Sequence, residues 1–206
     1  MYSDKFKTIF VHIPKTGGQS VEQVFLAEHD LTSKKRAALL LREAEDDEEG
    51  PKRLAHLFAR EYVQHGYVTA DEFAACFKFT IVRNPYDRAV SRFRFKLGAT
   101  PSLKKTFRDH VISLDRDRLP RHDERQSDFV LDESGKLMVD AILRFETLSA
   151  DFAEVSKRIF GRAIELPHEN KSKAEMPAEA NDTDLRRILY RKYERDFDLF
   201  KYPSGF

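Results

Sequence analysis

The chain has 206 residues, 41% hydrophobic and 34% charged, which is enough for one buried core and is the balance of an ordinary globular protein. A formal net charge of +1 and a single cysteine, Cys76, exclude a bulk electrostatic footprint for nucleic acid, an intramolecular disulfide and a cysteine-rich metal cluster. No apolar run approaches the ~20 residues of a membrane-spanning helix, and no apolar leader precedes Ile9, so the expected compartment is the cytosol unless an N-terminal anchor has been removed.

In chain order, Thr8 to Ile13 is a β-branched and aromatic run ended by Pro14, which predicts a buried strand. The loop Lys15-Thr16-Gly17-Gly18-Gln19-Ser20 follows, and then apolar positions Val21, Val24 and Phe25 predict a helix. Strand, glycine loop and helix open an α/β unit. Residues 34 to 49 read as a helix running into an acidic, solvated end before Gly50-Pro51, and a second helix is expected over Leu54 to Gln64. Cys76 falls in an apolar stretch, where a packed thiol is expected. Phe77 to Val82 is the next strand. Asn84-Pro85 suits an N-cap followed by the first helical position, and Tyr86, Val90, Phe93 and Leu97 make one apolar stripe of the helix that follows. A helix near Leu103 to Ile112 and a surface loop over Arg116 to Arg125 come next. Asp140 to Phe145 reads as a strand, followed by a helix bearing Leu148, Phe152, Val155 and Ile159 that stops at Gly161. A polar loop and a last helix from about Asp182 complete the chain. With no repeat and no low-complexity linker, residues 1–206 read as a single domain.

Two segments carry chemistry. Glycines after a strand let the backbone approach a ligand, and the helix behind them presents unpaired N–H groups to an anion. Lys15 adds a point charge at the mouth, and Thr16 and Ser20 add hydroxyls. The lysine precedes the glycines, unlike the nucleoside-triphosphate loop with its lysine after them. The second segment is Arg83-Asn84-Pro85-Tyr86-Asp87-Arg88-Ala89-Val90-Ser91. A guanidinium at the end of a buried strand needs a partner, and Arg83 with Ser91 could grip one phosphate.

Together, Phe10-Val11-His12-Ile13-Pro14-Lys15-Thr16-Gly17-Gly18 and Phe79 to Ser91 resemble the 5′-phosphosulfate loop and the 3′-phosphate motif of sulfotransferases. The chain is most similar to the carbohydrate group that includes heparan 2-O and chondroitin enzymes and short bacterial relatives. The resemblance continues through Asp140 to Leu148, Leu166 to Ser172 and Tyr193 to Phe197, and leaves out residues 98 to 136. It implies a three-layer α/β fold with a central parallel sheet flanked by helices. It also implies 3′-phosphoadenosine 5′-phosphosulfate (PAPS) as donor, no metal, and a hydroxyl-bearing acceptor, a glycan or glycoconjugate. Lys171, Ser172 and Lys173 would then form a loop over the nucleotide, and Gln19 would join the phosphosulfate loop.

A base that titrates near neutral pH points to histidine, of which there are seven. His12 reads as structural, inside its strand. His56 is similar to the base that the 2-O branch places upstream of the 3′-phosphate strand. His122, beside Arg121 in an arginine-rich loop, is an alternative base and a candidate contact to an anionic acceptor, and a carboxylate not singled out by the sequence is the third option for the base. Lys15 is the expected leaving-group cation. A P-loop-like nucleotide kinase and a catalytically inactive nucleotide-binding protein stay open, because fold alone does not establish turnover.

Overall fold

The computed structural model describes residues 1–100, 102, 104–114, 119–167 and 176–205. The fold is α/β, as expected. The strands are β1 (Tyr2–Ser3), β2 (Thr8–Val11), β3 (Phe77–Val82) and β4 (Ala141–Arg144), in sheet order β1-β2-β3-β4. The helices are α1 (Gly18–Glu28), α2 (Glu61–Gln64), α3 (Ala70–Ala75), α4 (Pro85–Ala99), α5 (Phe107–Ile112), α6 (Gln126–Val130), α7 (Leu148–Phe160) and α8 (Thr183–Phe200). Contacts cluster into two compact units: Met1–Val82 with Asp128–Glu169, and Arg83–Ser127 with Asn170–Phe206.

The first unit holds the sheet. β2, β3 and β4 pair in parallel, with Phe10 opposite Phe79 and Ile81 opposite Leu143, and the short β1 adds an antiparallel edge that the sequence does not announce. β2 is buried along its whole length, which suits an inner strand covered on both faces. Phe10, Phe79, Ile81 and Leu143 form one core with Val21, Val24 and Phe25 of α1 and Phe152 of α7. The Phe10 and Phe79 rings stack with centroids 4.9 Å apart. Each such fully buried side chain stabilises the fold by roughly 1.5–3 kcal/mol, so this face anchors the loop that leaves β2. Cys76 closes α3 as a buried thiol whose pKa is raised by burial, the packed role expected of it.

One expectation fails here. Leu54 to Gln64 is not a single helix but a 3₁₀ turn, Leu54–His56, then extended Leu57 and the four-residue α2. Leu54, Leu57, Ala59 and Tyr62 are all fully buried, so no polar face is left for an amphipathic helix. The backbone finds tertiary partners instead: Ala59 N–H donates to the Phe129 carbonyl at 2.7 Å, and Phe58 N–H to the Glu61 carboxylate at 2.7 Å. Likewise residues 34 to 49 form a 3₁₀ helix only over Ser33–Leu39, and the acidic run beyond is largely exposed.

The second unit is helical. Tyr86, Val90 and Phe93 of α4 pack with Phe107 and Val111 of α5 and Leu185, Leu189, Tyr193 and Phe197 of α8. Asn84 caps α4 through its side chain, accepting from Tyr86 N–H at 2.9 Å with Pro85 at the first helical position, as the sequence predicts. Residues 119–125 are not the surface loop expected of them: most are half-buried and Asp123 is 3% exposed, for reasons given below. Among the described residues no helix is long and apolar enough to cross a membrane.

Candidate active site

In the first unit, β2 delivers the chain into the loop Pro14 to Gly17 and then α1. Lys15 adopts a left-handed backbone (φ 72°), and so does Gly17 (φ 88°). For lysine that conformation costs roughly 1–2 kcal/mol, a strain that persists only where the surroundings impose it. Gly17 takes the N-cap position of α1 and has no side chain with which to cap it. Its first turn, Gly18 to Val21, carries no acidic residue. The helix therefore presents its first N–H groups and positive dipole end toward the loop. Thr16 is buried and its hydroxyl donates to the Ile13 carbonyl at 2.8 Å, so it braces the turn. Ser20 is 9% exposed, Lys15 is half-buried, and Gln19 is exposed.

The two glycines are required for different reasons. Besides the positive φ of Gly17, a Cβ there would lie 3.0 Å from the Phe145 ring. At Gly18 a Cβ would fall 2.4 Å from the imidazole of His12. His12 thus lies directly against the first turn of α1. Its Nδ1–H donates to Glu22 Oε1 at 2.7 Å, and Glu22 Oε2 accepts from Arg36 at 2.9 Å. Burial alone would raise the Glu22 carboxyl, but the His12 hydrogen bond and the charges of His12 and Arg36 outweigh it and hold the pKa below the usual value.

His56, on the Leu54–His56 turn and 9% exposed, meets His12 edge to face with ring centroids 4.8 Å apart. Its Nδ1 lies 3.0 Å from the His12 carbonyl oxygen. A carbonyl can only accept, so Nδ1 carries the proton, and in the neutral ring Nε2 is the proton-accepting nitrogen. His12 and His56, far apart in sequence, are thereby joined at the loop. Glu22 escapes a reading of the sequence for chemistry, although a glutamate inside the apolar stripe of Val21, Val24 and Phe25 is a signal for a buried, partnered carboxylate.

In the second unit, Arg83 follows β3 directly and is half-buried, and Ser91 is half-buried in the second turn of α4. One side-chain amide clasps the Arg83 backbone: Arg83 N–H donates to Gln126 Oε1 at 2.9 Å, and Gln126 Nε2 donates to the Arg83 carbonyl at 2.8 Å. Arg88, 3% exposed, donates to the carbonyls of Glu124 at 2.9 Å and His122 at 3.2 Å. Asp123 receives Arg92 and Lys96, each at 3.0 Å, which explains why residues 119–125 are drawn inward. Arg121 and His122 belong to this tethered 3₁₀ turn and are themselves half-buried. Lys171, Ser172, Lys173 and His168, like Arg116 and Arg118, lie outside the described residues.

A mainly parallel sheet whose inner strand runs into a glycine turn and a helix N-terminus defines the class: an α/β protein, with the strand-end arrangement at which such folds receive phosphate-like anions. The chain matches the sulfotransferase family over residues 1–203 and belongs to it. It is 24% identical, over 246 aligned residues covering 98% of this chain, to carbohydrate sulfotransferase 10 of zebrafish (Danio rerio). The chain spans 65% of that relative's length. No solved structure matches it.

Proposed function

We propose that the protein is a sulfotransferase that uses PAPS to sulfate a hydroxyl of a carbohydrate acceptor. One observation carries the reading: at the end of β2, a lysine-bearing glycine loop and a helix N-terminus stand beside a histidine whose tautomer is fixed for accepting a proton. The residues fit a phosphosulfate, because its negative oxygens need N–H donors, a cation and close backbone approach, and the loop has all three. Membership of the family supports the donor, and the zebrafish relative's name supports a carbohydrate acceptor.

When bound, PAPS supplies an activated sulfuryl group with adenosine 3′,5′-bisphosphate as its leaving group. Positioning and charge stabilisation then fall to the chain. Lys15 and the first N–H groups of α1 neutralise charge that develops on the leaving phosphate oxygen. His56 takes the acceptor hydroxyl's proton at Nε2, and the imidazolium that forms keeps its Nδ1–H on the His12 carbonyl. His12 and Glu22 hold the floor of the loop rather than the proton. Arg83 and Ser91 are the residues proposed for the 3′-phosphate, and Lys171, Ser172 and Lys173 are further candidates for contact with the nucleotide. Arg121 and His122 are the contacts proposed for the acceptor.

Calorimetry with adenosine 3′,5′-bisphosphate and adenosine 5′-phosphate tests the donor assignment. The bisphosphate should bind markedly better; equal affinities would remove the 3′-phosphate site and with it PAPS as donor.

A further inference from the structure

Arg83 stands at a place where a chain ordinarily frays. β3 ends at Val82, the α4 cap begins at Asn84, and Arg83 belongs to neither. Yet both of its backbone polar groups are taken by a single amide, that of Gln126, which is 0% exposed. The two bonds imitate one more rung of a β-ladder beyond the end of the strand. Gln126 is in turn held by Asp196 of α8. The Asp196 carboxylate, also 0% exposed, accepts from Gln126 N–H and Ser127 N–H, each at 2.8 Å. The segment before Gln126 is fastened by Arg88 to the His122 and Glu124 carbonyls, and by the Tyr193 hydroxyl to the Asp123 carbonyl at 2.9 Å.

Burying the Asp196 carboxyl is costly, and the two N–H bonds it accepts at the start of α6 offset that cost and fix Gln126 in place. What this chain of contacts accomplishes is specific: it fixes the peptide groups on either side of the Arg83 Cα and hence the direction in which the guanidinium leaves the backbone. A planar fork recognises phosphate bidentately only when its aim is set to within about 0.5 Å and 10–20°.

We propose that Gln126, anchored by Asp196, is the positioning residue that aims Arg83 at the nucleotide's 3′-phosphate, so that preference for the 3′-phosphorylated nucleotide depends on an amide that does not itself touch the ligand. The proposal rests on the assignment of Arg83 to the 3′-phosphate, and the test separates the two. Affinities for adenosine 3′,5′-bisphosphate and adenosine 5′-phosphate are measured by calorimetry on the full chain, as wild type and as Arg83→Ala, Gln126→Met and Gln126→Glu, with thermal unfolding of each. Gln126→Met keeps the volume and removes both hydrogen bonds. Gln126→Glu keeps an acceptor for the Arg83 N–H and sets a carboxylate oxygen against the Arg83 carbonyl, so it decides the matter should the Met variant not fold.

Arg83→Ala should abolish the preference for the bisphosphate. Each Gln126 variant should lower bisphosphate affinity about tenfold more than 5′-phosphate affinity, the worth of losing a buried hydrogen-bonded support. A Gln126 variant that keeps the wild-type preference while Arg83→Ala loses it overturns the positioning role alone. Equal losses for both nucleotides would make Gln126 a structural residue only. An Arg83→Ala protein with wild-type preference overturns the assignment of Arg83 and the proposal together.

Discussion

Replacing Gly18 by alanine probes the arrangement at the end of β2 with one methyl group. The new Cβ would fall 2.4 Å from the His12 ring, so the ring must retreat by about 1 Å before ordinary van der Waals contact at 3.4 Å is restored. It has little room to do so, because it stacks on Phe10, meets His56 edge-on and holds Glu22 at 2.7 Å. Overpacking costs about 1–3 kcal/mol, and loosening a hydrogen bond to a charged group adds up to about 1.5–3 kcal/mol. Alanine returns about 1 kcal/mol through its helix propensity. The net expectation is a loss of about 2 kcal/mol, read as a lower midpoint in urea denaturation, with turnover reduced because the His12 carbonyl also orients His56. Gly98, inside α4 with nothing within 4 Å of a notional Cβ, is the control: Gly98→Ala should stabilise by about 0.5–1 kcal/mol. Moreover, His12→Ala should relieve the clash, so the double variant with Gly18→Ala should be more stable than the two single losses add up to. A Gly18→Ala protein as stable as Gly98→Ala, or a strictly additive double variant, would refute the packing argument.

Three further outcomes follow from the same geometry. Lys15→Ala should depress turnover with little change in the KM for PAPS, since the charge it meets grows in the transition state, and steady-state kinetics at several PAPS concentrations check this. His56→Ala should lower turnover by ~10²–10⁴-fold, leave bisphosphate affinity nearly intact and erase the acidic limb of the pH–rate profile; retained activity on a true acceptor would return attention to His122. Burial, with Lys96 nearby, pushes the buried His110 from 6.5 down to about 4, so the unfolded chain takes up this proton first as the pH falls. Stability due to the neutral ring is present above pH ~6.5 and is lost as the pH drops toward ~4, and denaturation at pH 7 and pH 5 should show a smaller difference in His110→Phe than in the wild type.

The sequence is most informative where local rules and tertiary packing agree. Phe77 to Val82 is a strand by composition and by burial, and Asn84-Pro85 marks the start of α4 because capping is a local device. Gly161, at φ 73°, ends α7 for an equally local reason. The Leu54 to Gln64 segment misleads because residues buried on every side carry no period, and the backbone settles for partners brought from Phe129. At the candidate site, the glycine loop, Lys15 and Arg83 are legible as polar groups placed after strands, where the structure also puts them. The Glu22–His12 pair is half legible, since both residues sit near the loop but only the fold turns them toward each other. Gln126 and Asp196 are not legible, because their meaning lies in contacts to residues 43 and 70 positions away.

The central claim, transfer of a sulfuryl group, is tested most directly by incubating the protein with PAPS labelled in the sulfuryl group and a panel of glycan acceptors. The account predicts labelled glycan and adenosine 3′,5′-bisphosphate in equal amounts, with both formed far more slowly in His56→Ala and Lys15→Ala. Tight binding of the bisphosphate without release of it from PAPS in the presence of any acceptor would contradict the account and mark the chain as a nucleotide-binding protein without turnover.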